Sequence, residues 1–348
     1  MKFDVIIGNP PYQMGVGNES GNSSKAKAIY HKFVEQAQKL NPRFLTMIIP
    51  SRWMTRTTEG IPGEWIDNML KDNKIKILHD FPNARDVFPG VEIKGGICYF
   101  LWQKDHTGKC EYFLHKKVDE KIEPFIDYLD SRNIGIVIRD IQAQSIIDKI
   151  EKIEGKYYQD DSKNFFGLVS PKDFFTNKQK LTSSWNEYTK EKKSPCIIKY
   201  YLNKNMHKIP YAWIKESDIP KNKESVKLHK VYIPAAGGSG TDSQILGYPF
   251  YGEPNSVCSQ TYLIIGYNPT LHKLTKKQCE NIISYVKTRF FRYLVSIKKK
   301  TQNGPRMVYQ FVPMQDFSKS WTDEELYKKY NLTKEEIDFI ESMVRPMD

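Results

Sequence analysis

The first twelve residues constrain the fold more tightly than any other segment. Residues 3–8 read Phe-Asp-Val-Ile-Ile-Gly, a short apolar run that Asn9-Pro10-Pro11 ends at once. Proline has no N–H for a ladder and pushes the residue before it out of the helical region, so the run is a strand that feeds a loop. A strand that is apolar throughout, rather than alternating, is the pattern of a parallel sheet buried on both faces. The continuation agrees. Ile29, Phe33, Ala37 and Leu40 recur at helical spacing across residues 25–40, Asn41-Pro42 stops them, and residues 44–49 form a second apolar run. A helix near residues 64–71, a strand at 75–80 and a strand at 97–102 after Gly95-Gly96 complete the pattern. Residues 1–115 read as part of a doubly wound α/β sheet.

The remainder divides in two. Residues 116–165 turn charged and read as a connecting segment, with a strand expected at 134–138 and an amphipathic helix at 143–153. Residues 166–348 are rich in Tyr, Phe, Lys and Pro, with short β-like runs at 196–202, 231–233 and 261–265. Thr275 and Gln278 form a capping box that opens a long helix over 276–297, carrying Cys279, Ile282, Ile283, Val286, Phe290, Leu294 and Ile297 on one face. Thr322/Glu325 and Thr333/Glu336 are capping boxes for two short closing helices, and residues 308–312 look strand-like. This second domain reads as α+β, and 348 residues suit two domains.

Composition narrows the partners. Lys and Arg number 53 against 41 Asp and Glu, a net charge of +12 that suits a polyanion. With 39% hydrophobic residues and no apolar run near a bilayer span, the chain reads as globular and without a membrane partner. The N-terminus leaves no room for a secretory signal, which makes the cytoplasm the expected site. The five cysteines never fall as C-x-x-C and the seven histidines never as H-E-x-x-H, so reduced packing cysteines are expected and no metal site is indicated.

Asn9-Pro10-Pro11-Tyr12 is the candidate chemical motif. The Asn9 side-chain oxygen beside the Pro10 carbonyl offers two hydrogen-bond acceptors at a spacing that proline stiffens, and Tyr12 offers a flat face for a base. A bare N-P-P serves equally as a strand stop. The full string 3–12, together with Ile48-Ile49-Pro50-Ser51-Arg52-Trp53 and residues 86–102, resembles the amino-methyltransferases that act on adenine N6, whose signature is N-P-P-Y. More narrowly it is similar to the Eco57I-like restriction-modification methylases. The resemblance implies a partial Rossmann-like methyltransferase sheet over residues 1–115, the C-terminal half of a catalytic domain. It implies S-adenosylmethionine as cofactor and double-stranded DNA as partner, with the target base rotated out of the duplex. Adenine's exocyclic lone pair is delocalised into the ring, so accepting hydrogen bonds from both N–H groups favours its nucleophilic form. By this resemblance Asn9 and the Pro10 carbonyl hold the amine, Pro11 stiffens the loop, Tyr12 stacks on the base and Phe88 packs its other side. Phe88 is otherwise a core aromatic in a turn, and Arg52 is either a solvated charge or a DNA-phosphate contact.

The same resemblance exposes a gap. The family's cofactor site precedes N-P-P-Y, yet only eight residues precede Asn9. The expectation is a sheet lacking its cofactor-binding strands and an unpaired apolar edge at residues 3–8, the chain being either one piece of a split enzyme that needs an N-terminal methylase half or subunit, or a fragment of a longer methylase. A permuted cofactor site at Ala236-Gly237-Gly238-Ser239-Gly240-Thr241 is the weaker alternative, because Pro249 soon precludes a helix; a phosphate-approaching or ordinary surface loop fits better. Cofactor-binding residues are thus unassigned.

Residues 232–346, including Glu253-Pro254-Asn255-Ser256-Val257-Cys258-Ser259-Gln260-Thr261-Tyr262, are similar to the target-recognition region of the same family. Lys298, Lys299, Lys300 and Arg306 are candidate phosphate contacts with Gln302 and Asn303 as candidate base readers, against the alternative of a basic helix end. The expected activity is S-adenosylmethionine-dependent DNA adenine-N6 methylation, with this chain inactive alone. The alternatives are a DNA-binding specificity module with an idle N-P-P-Y loop, and methylation of RNA or protein glutamine. No nuclease motif stands out.

Overall fold

β1 (Val5–Gly8) is the strand that the N-terminal apolar run makes, and the loop after it returns through the short antiparallel pair β2 (Gln13–Met14) and β3 (Lys27–Ala28). The computed structural model describes residues 3–14, 27–56, 58, 60–115, 122–202, 211–237, 243–299 and 302–347. The chain divides into two units, residues 1–144 and 145–348, with the boundary inside the stretch expected as a connector.

In the first unit α1 (Tyr30–Lys39) carries the chain from β1 to β4 (Phe44–Pro50), which pair in parallel. After α2 (Gly63–Lys71) come β5 (Ile75–Phe81), β6 (Ile97–Gln103), β7 (Cys110–Leu114) and β8 (Phe125–Asp127). They form one mixed six-stranded sheet in the order β1-β4-β6-β5-β7-β8, parallel at β1/β4 and β5/β7 and antiparallel elsewhere. Alternation along β4 sends Leu45, Met47 and Ile49 into a core shared with Tyr30, Val34 and Ala37 of α1 and Trp65, Ile66 and Met69 of α2.

β1 is not the doubly buried strand that its composition suggests. It pairs only with β4 among the described residues, and Val5 and Ile7 are 50% and 77% exposed. The expected strand at 134–138 is also absent. The Asp130 carboxylate takes the amides of Ile134 (2.7 Å) and Gly135 (2.8 Å), and Gly135 turns the chain at φ +73, so this apolar run packs without a ladder.

The face of the sheet turned away from α1 and α2 carries an aromatic row. His79 stacks between Tyr99 (4.6 Å) and Phe113 (4.5 Å), with its Nδ1 2.9 Å from Nε2 of His115. Burial, helped by neighbouring His115, pushes His79 down to about 4. The native state therefore favours neutral His79, and stability is lost as pH falls from the ordinary histidine value of 6.5 toward 4, where only the unfolded chain takes up the proton. Melting curves from pH 7 to 4 are expected to show this loss, and His79→Phe to flatten it.

α3 (Ile141–Glu154) leads into the second unit. There β9 (Ile198–Tyr201), β10 (Tyr211–Ile214), β11 (Lys230–Pro234), β12 (Phe250–Gly252), β13 (Ser256–Cys258) and β14 (Tyr262–Ile265) make two three-stranded sheets, β10-β9-β13 and β12-β11-β14. The expected long helix is two, α4 (Lys276–Lys287) and α5 (Arg289–Lys298). Thr288 leaves helical geometry at ψ 149 and caps Phe291, the Asp323 carboxylate takes the amides of Arg289 and Phe290 (both 2.9 Å), and the side chain of buried Arg292 donates to the carbonyls of Lys287 and Thr288. Those groups satisfy a break that the apolar periodicity conceals. α6 (Asp323–Lys329) and α7 (Lys334–Met343) begin at the capping boxes expected, both reciprocal bonds being present in each. Residues 308–312 are not a strand: a 3₁₀ turn over Arg306–Tyr309 precedes a tight return. All five cysteines are buried and unbonded, and no described helix is long and apolar enough to cross a membrane.

Candidate active site

The Asn9–Tyr12 loop is held at both ends. Gly8 lies against Met47 of β4, Pro10 is buried, and the Tyr12 carbonyl accepts from the Ile29 amide (3.1 Å) just before α1. Asn9 and Pro11 are exposed, and the Asn9 carboxamide has no hydrogen-bond partner among the described residues. Two prolines that fix φ beside an anchored Tyr12 keep this short loop in one conformation. Tyr12 packs its ring on the core of the first unit, and burial pushes its phenol up to about 12, which keeps it neutral.

Tyr12 lines a cleft of about 520 Å³ together with Tyr30, Arg52, Thr58, Glu92 and Lys94. Burial lowers the Arg52 guanidinium, against the raising effect of Tyr30, while burial raises the Tyr30 phenol. One wall, Pro50–Arg52, is the end of β4 and the 3₁₀ turn Ser51–Thr55. The other is the loop before β6, where Gly95 sits at φ +87 and a Cβ would come 2.3 Å from Arg52 Cγ. Only glycine allows the loop to lie this close.

Beneath both walls is a buried ionic cluster. Asp80, fully buried near the end of β5, accepts from Ser51 Oγ (2.8 Å), Tyr112 Oη (2.6 Å), Arg139 Nε (2.5 Å) and Arg139 Nη2 (2.6 Å). Arg139 Nη1 donates to the Gly95 carbonyl (3.0 Å), and the Ser51 amide donates to the Gly96 carbonyl (3.0 Å). Burial opposes the Arg139 charge, yet adjacent Asp80 holds its pKa raised.

Of the residues singled out from the sequence, Tyr12 and Arg52 meet in this cleft. Phe88 is half-buried earlier in the loop that supplies Glu92–Lys94, and is not among the cleft-lining residues. In the second unit Lys298 and Lys299 are buried, contrary to the surface cluster expected. Lys298 Nζ donates to Gln310 Oε1 (2.6 Å) and lies over the Phe311 ring, because the end of α5 runs into the core rather than out of it. Arg306 is half-buried over the Phe166 ring (3.8 Å) and donates Nε to the Phe166 carbonyl (3.0 Å). Gln302 and Asn303 are exposed. Their segment pairs with the start of the glycine-rich stretch: Gly237 N donates to the Gln302 carbonyl (3.1 Å) and Gly304 N to the Ala235 carbonyl (2.9 Å). Lys300 and Gly238–Thr241 lie outside the described residues.

The described residues on either side of that stretch form no S-adenosylmethionine cradle. The stretch follows β11, which runs antiparallel between β12 and β14, and among the described residues no helix opens before β12 to face a cofactor. Tyr30, Thr58, Glu92, Lys94, Asp80, Tyr112 and Arg139 escaped the sequence reading. Long-range pairing at the sheet end brings them together, and no local spacing announces it.

Sequence comparison matches residues 1–88 to the Eco57I restriction-modification methylase family. An uncharacterized adenine-specific methylase of Mycoplasma pneumoniae is 50% identical over 109 residues, 31% of this chain and 25% of that protein. Among solved structures, the type IIG restriction endonuclease BpuSI overlaps 95% of this chain and 49% of its own at 12% identity and TM-score 0.36. The type IIL restriction-modification enzyme MmeI, solved with DNA, overlaps 88% and 44% at 8% identity and TM-score 0.38. The chain spans a quarter of the methylase relative and under half of each of these two structures. By its matched segment, residues 1–88, it is similar to the Eco57I restriction-modification methylases.

Proposed function

We propose that this chain supplies the target-amine site and a DNA-reading unit of an S-adenosylmethionine-dependent DNA adenine-N6 methyltransferase in a restriction-modification system. The observation that carries the reading is the anchored Asn9–Tyr12 loop at the end of a parallel strand, with Asn9 exposed and Tyr12 opening onto a cleft of about 520 Å³. That volume suits one nucleobase rotated out of a duplex. Asn9 Oδ1 and the Pro10 carbonyl accept from the two N–H groups of the adenine amine, and neutral Tyr12 provides the stacking face.

On this reading the methyl donor binds in another part of the enzyme. The open edge of β1 and its exposed Val5 and Ile7 support the place where that part adds strands. DNA is held by the basic chain as a whole, with Arg52, Gln302, Asn303 and Arg306 as contacts and a cytoplasmic site of action. With no cradle among the described residues, a second reading stands beside it, a DNA-binding specificity module without activity of its own.

Transfer of labelled methyl groups to unmethylated plasmid DNA, scored as N6-methyladenine in the digested product, separates the two. The full chain mixed with a cofactor-binding methylase half is expected to methylate. Persistent inactivity with a half that binds S-adenosylmethionine supports the idle module.

Burial also changes what the basic segment should do. Gln302→Ala is expected to relax sequence preference at one position, with a loss of about 1–3 kcal/mol on the preferred site. Lys299→Ala is expected to lower the melting temperature rather than the salt dependence of DNA binding, because its side chain is buried. Titrations at several salt concentrations read both; a flattened salt slope for Lys299→Ala contradicts the buried placement.

A further inference from the structure

The cleft's two walls belong to segments far apart in sequence, and both connect to the same carboxylate, one through Ser51 and the other through Arg139. Ser51, next to Arg52, donates its hydroxyl to Asp80 Oδ1, and Gly95, next to Lys94, offers its carbonyl to Arg139 Nη1. Arg139 closes the circuit by placing Nε and Nη2 on the two oxygens of Asp80. A guanidinium is rigid and planar, so three donors in one plane fix the Gly95 wall relative to the Ser51 wall at a set spacing. The contact between Gly95 and the Arg52 methylenes leaves no slack, since a Cβ at Gly95 would fall 2.3 Å from Arg52 Cγ. Tyr112 donates to the same carboxylate from β7 and touches neither wall through that bond. Arg139 places two of its three bonds on Asp80, which also accepts from Ser51 and Tyr112, and the third reaches across to the cleft loop.

We propose that Arg139 is a positioning residue that sets the opening of the Tyr12 cleft by locking the Lys94–Gly96 wall to the buried Asp80 carboxylate, which Ser51 of the other wall engages through its own hydroxyl. Its bearing on catalysis rests on the methylation reading above; the spacing of the walls does not. Lysine in place of Arg139 keeps the charge beside Asp80 but is a point donor, which cannot hold both carboxylate oxygens and the Gly95 carbonyl at once.

The test uses the full chain with Thr58→Cys and Glu92→Cys, two cleft-lining positions, for paired spin labels; the five natural cysteines are buried. Pulsed electron spin resonance is expected to give a narrow distance distribution in this background. Arg139→Lys is expected to broaden it and shift its mean, while Tyr112→Phe lowers the melting temperature and leaves the distribution unchanged. In the completed enzyme Arg139→Lys is expected to lower kcat by about 10²-fold with the Kd for duplex DNA unchanged, since a misplacement near 1 Å has that cost. An unchanged distribution in Arg139→Lys overturns the proposal, and so does equal broadening in Tyr112→Phe, which marks general loosening. If the unaltered chain never methylates DNA, the methylation reading fails and the distance measurement still decides the role of Arg139.

Discussion

Asn9→Ala is expected to reduce methyl transfer by the completed enzyme about 10²- to 10³-fold, the cost of removing one preorganised hydrogen-bonding group from a reacting centre. The loss should appear in kcat, because the adenine amine needs its second acceptor most when its lone pair is committed to the methyl carbon. Asn9 is exposed and its carboxamide has no partner among the described residues, so melting temperature should change by less than about 0.5 kcal/mol equivalent. Single-turnover methylation of unmethylated plasmid, with DNA binding measured in parallel, checks both halves. An Asn9→Ala enzyme with full kcat removes the chemical basis of the proposed function, and one that unfolds makes Asn9 a structural strand stop.

Asp80→Ala is expected to have the largest effect on stability. It leaves the Arg139 guanidinium buried without its carboxylate and strips Ser51 and Tyr112 of an acceptor. Breaking a buried pair from one side costs about 3–5 kcal/mol, on the order of 10 °C for a unit of this size. Replacing both charges, as in Asp80→Leu with Arg139→Met, should recover most of that loss, because the penalty comes from the orphaned charge. Calorimetry on the two variants measures the difference. A single variant as stable as the unaltered chain would mean that water reaches the cluster.

What was legible in the sequence follows from the range of the interactions involved. α6 and α7 begin where Thr322/Glu325 and Thr333/Glu336 place them, because a capping box is complete within four residues. α1, α2 and β4–β6 were readable because their apolar spacing records which face is covered. The same spacing ran Lys276 to Ile297 together, since the group that breaks the helix at Thr288 is Asp323, 35 residues after it. Lys298 and Lys299 read as a DNA-facing cluster for a similar reason. Charge type is visible in sequence, but the Gln310 and Phe311 that bury Lys298 are not.

The candidate site divides along the same line. Sequence alone determined the chemical identity of the loop, since Asn9, Pro10, Pro11 and Tyr12 are consecutive and proline geometry is intrinsic to the residue. Only the tertiary structure decided that Tyr12 faces Arg52 and Lys94 across one cleft and that Asp80 and Arg139 sit behind the walls. Those facts depend on strand order, which sets β1, β4, β6, β5 and β7 side by side in one sheet. Strand order is set by the competition among all possible pairings of the chain, so no local pattern contains it.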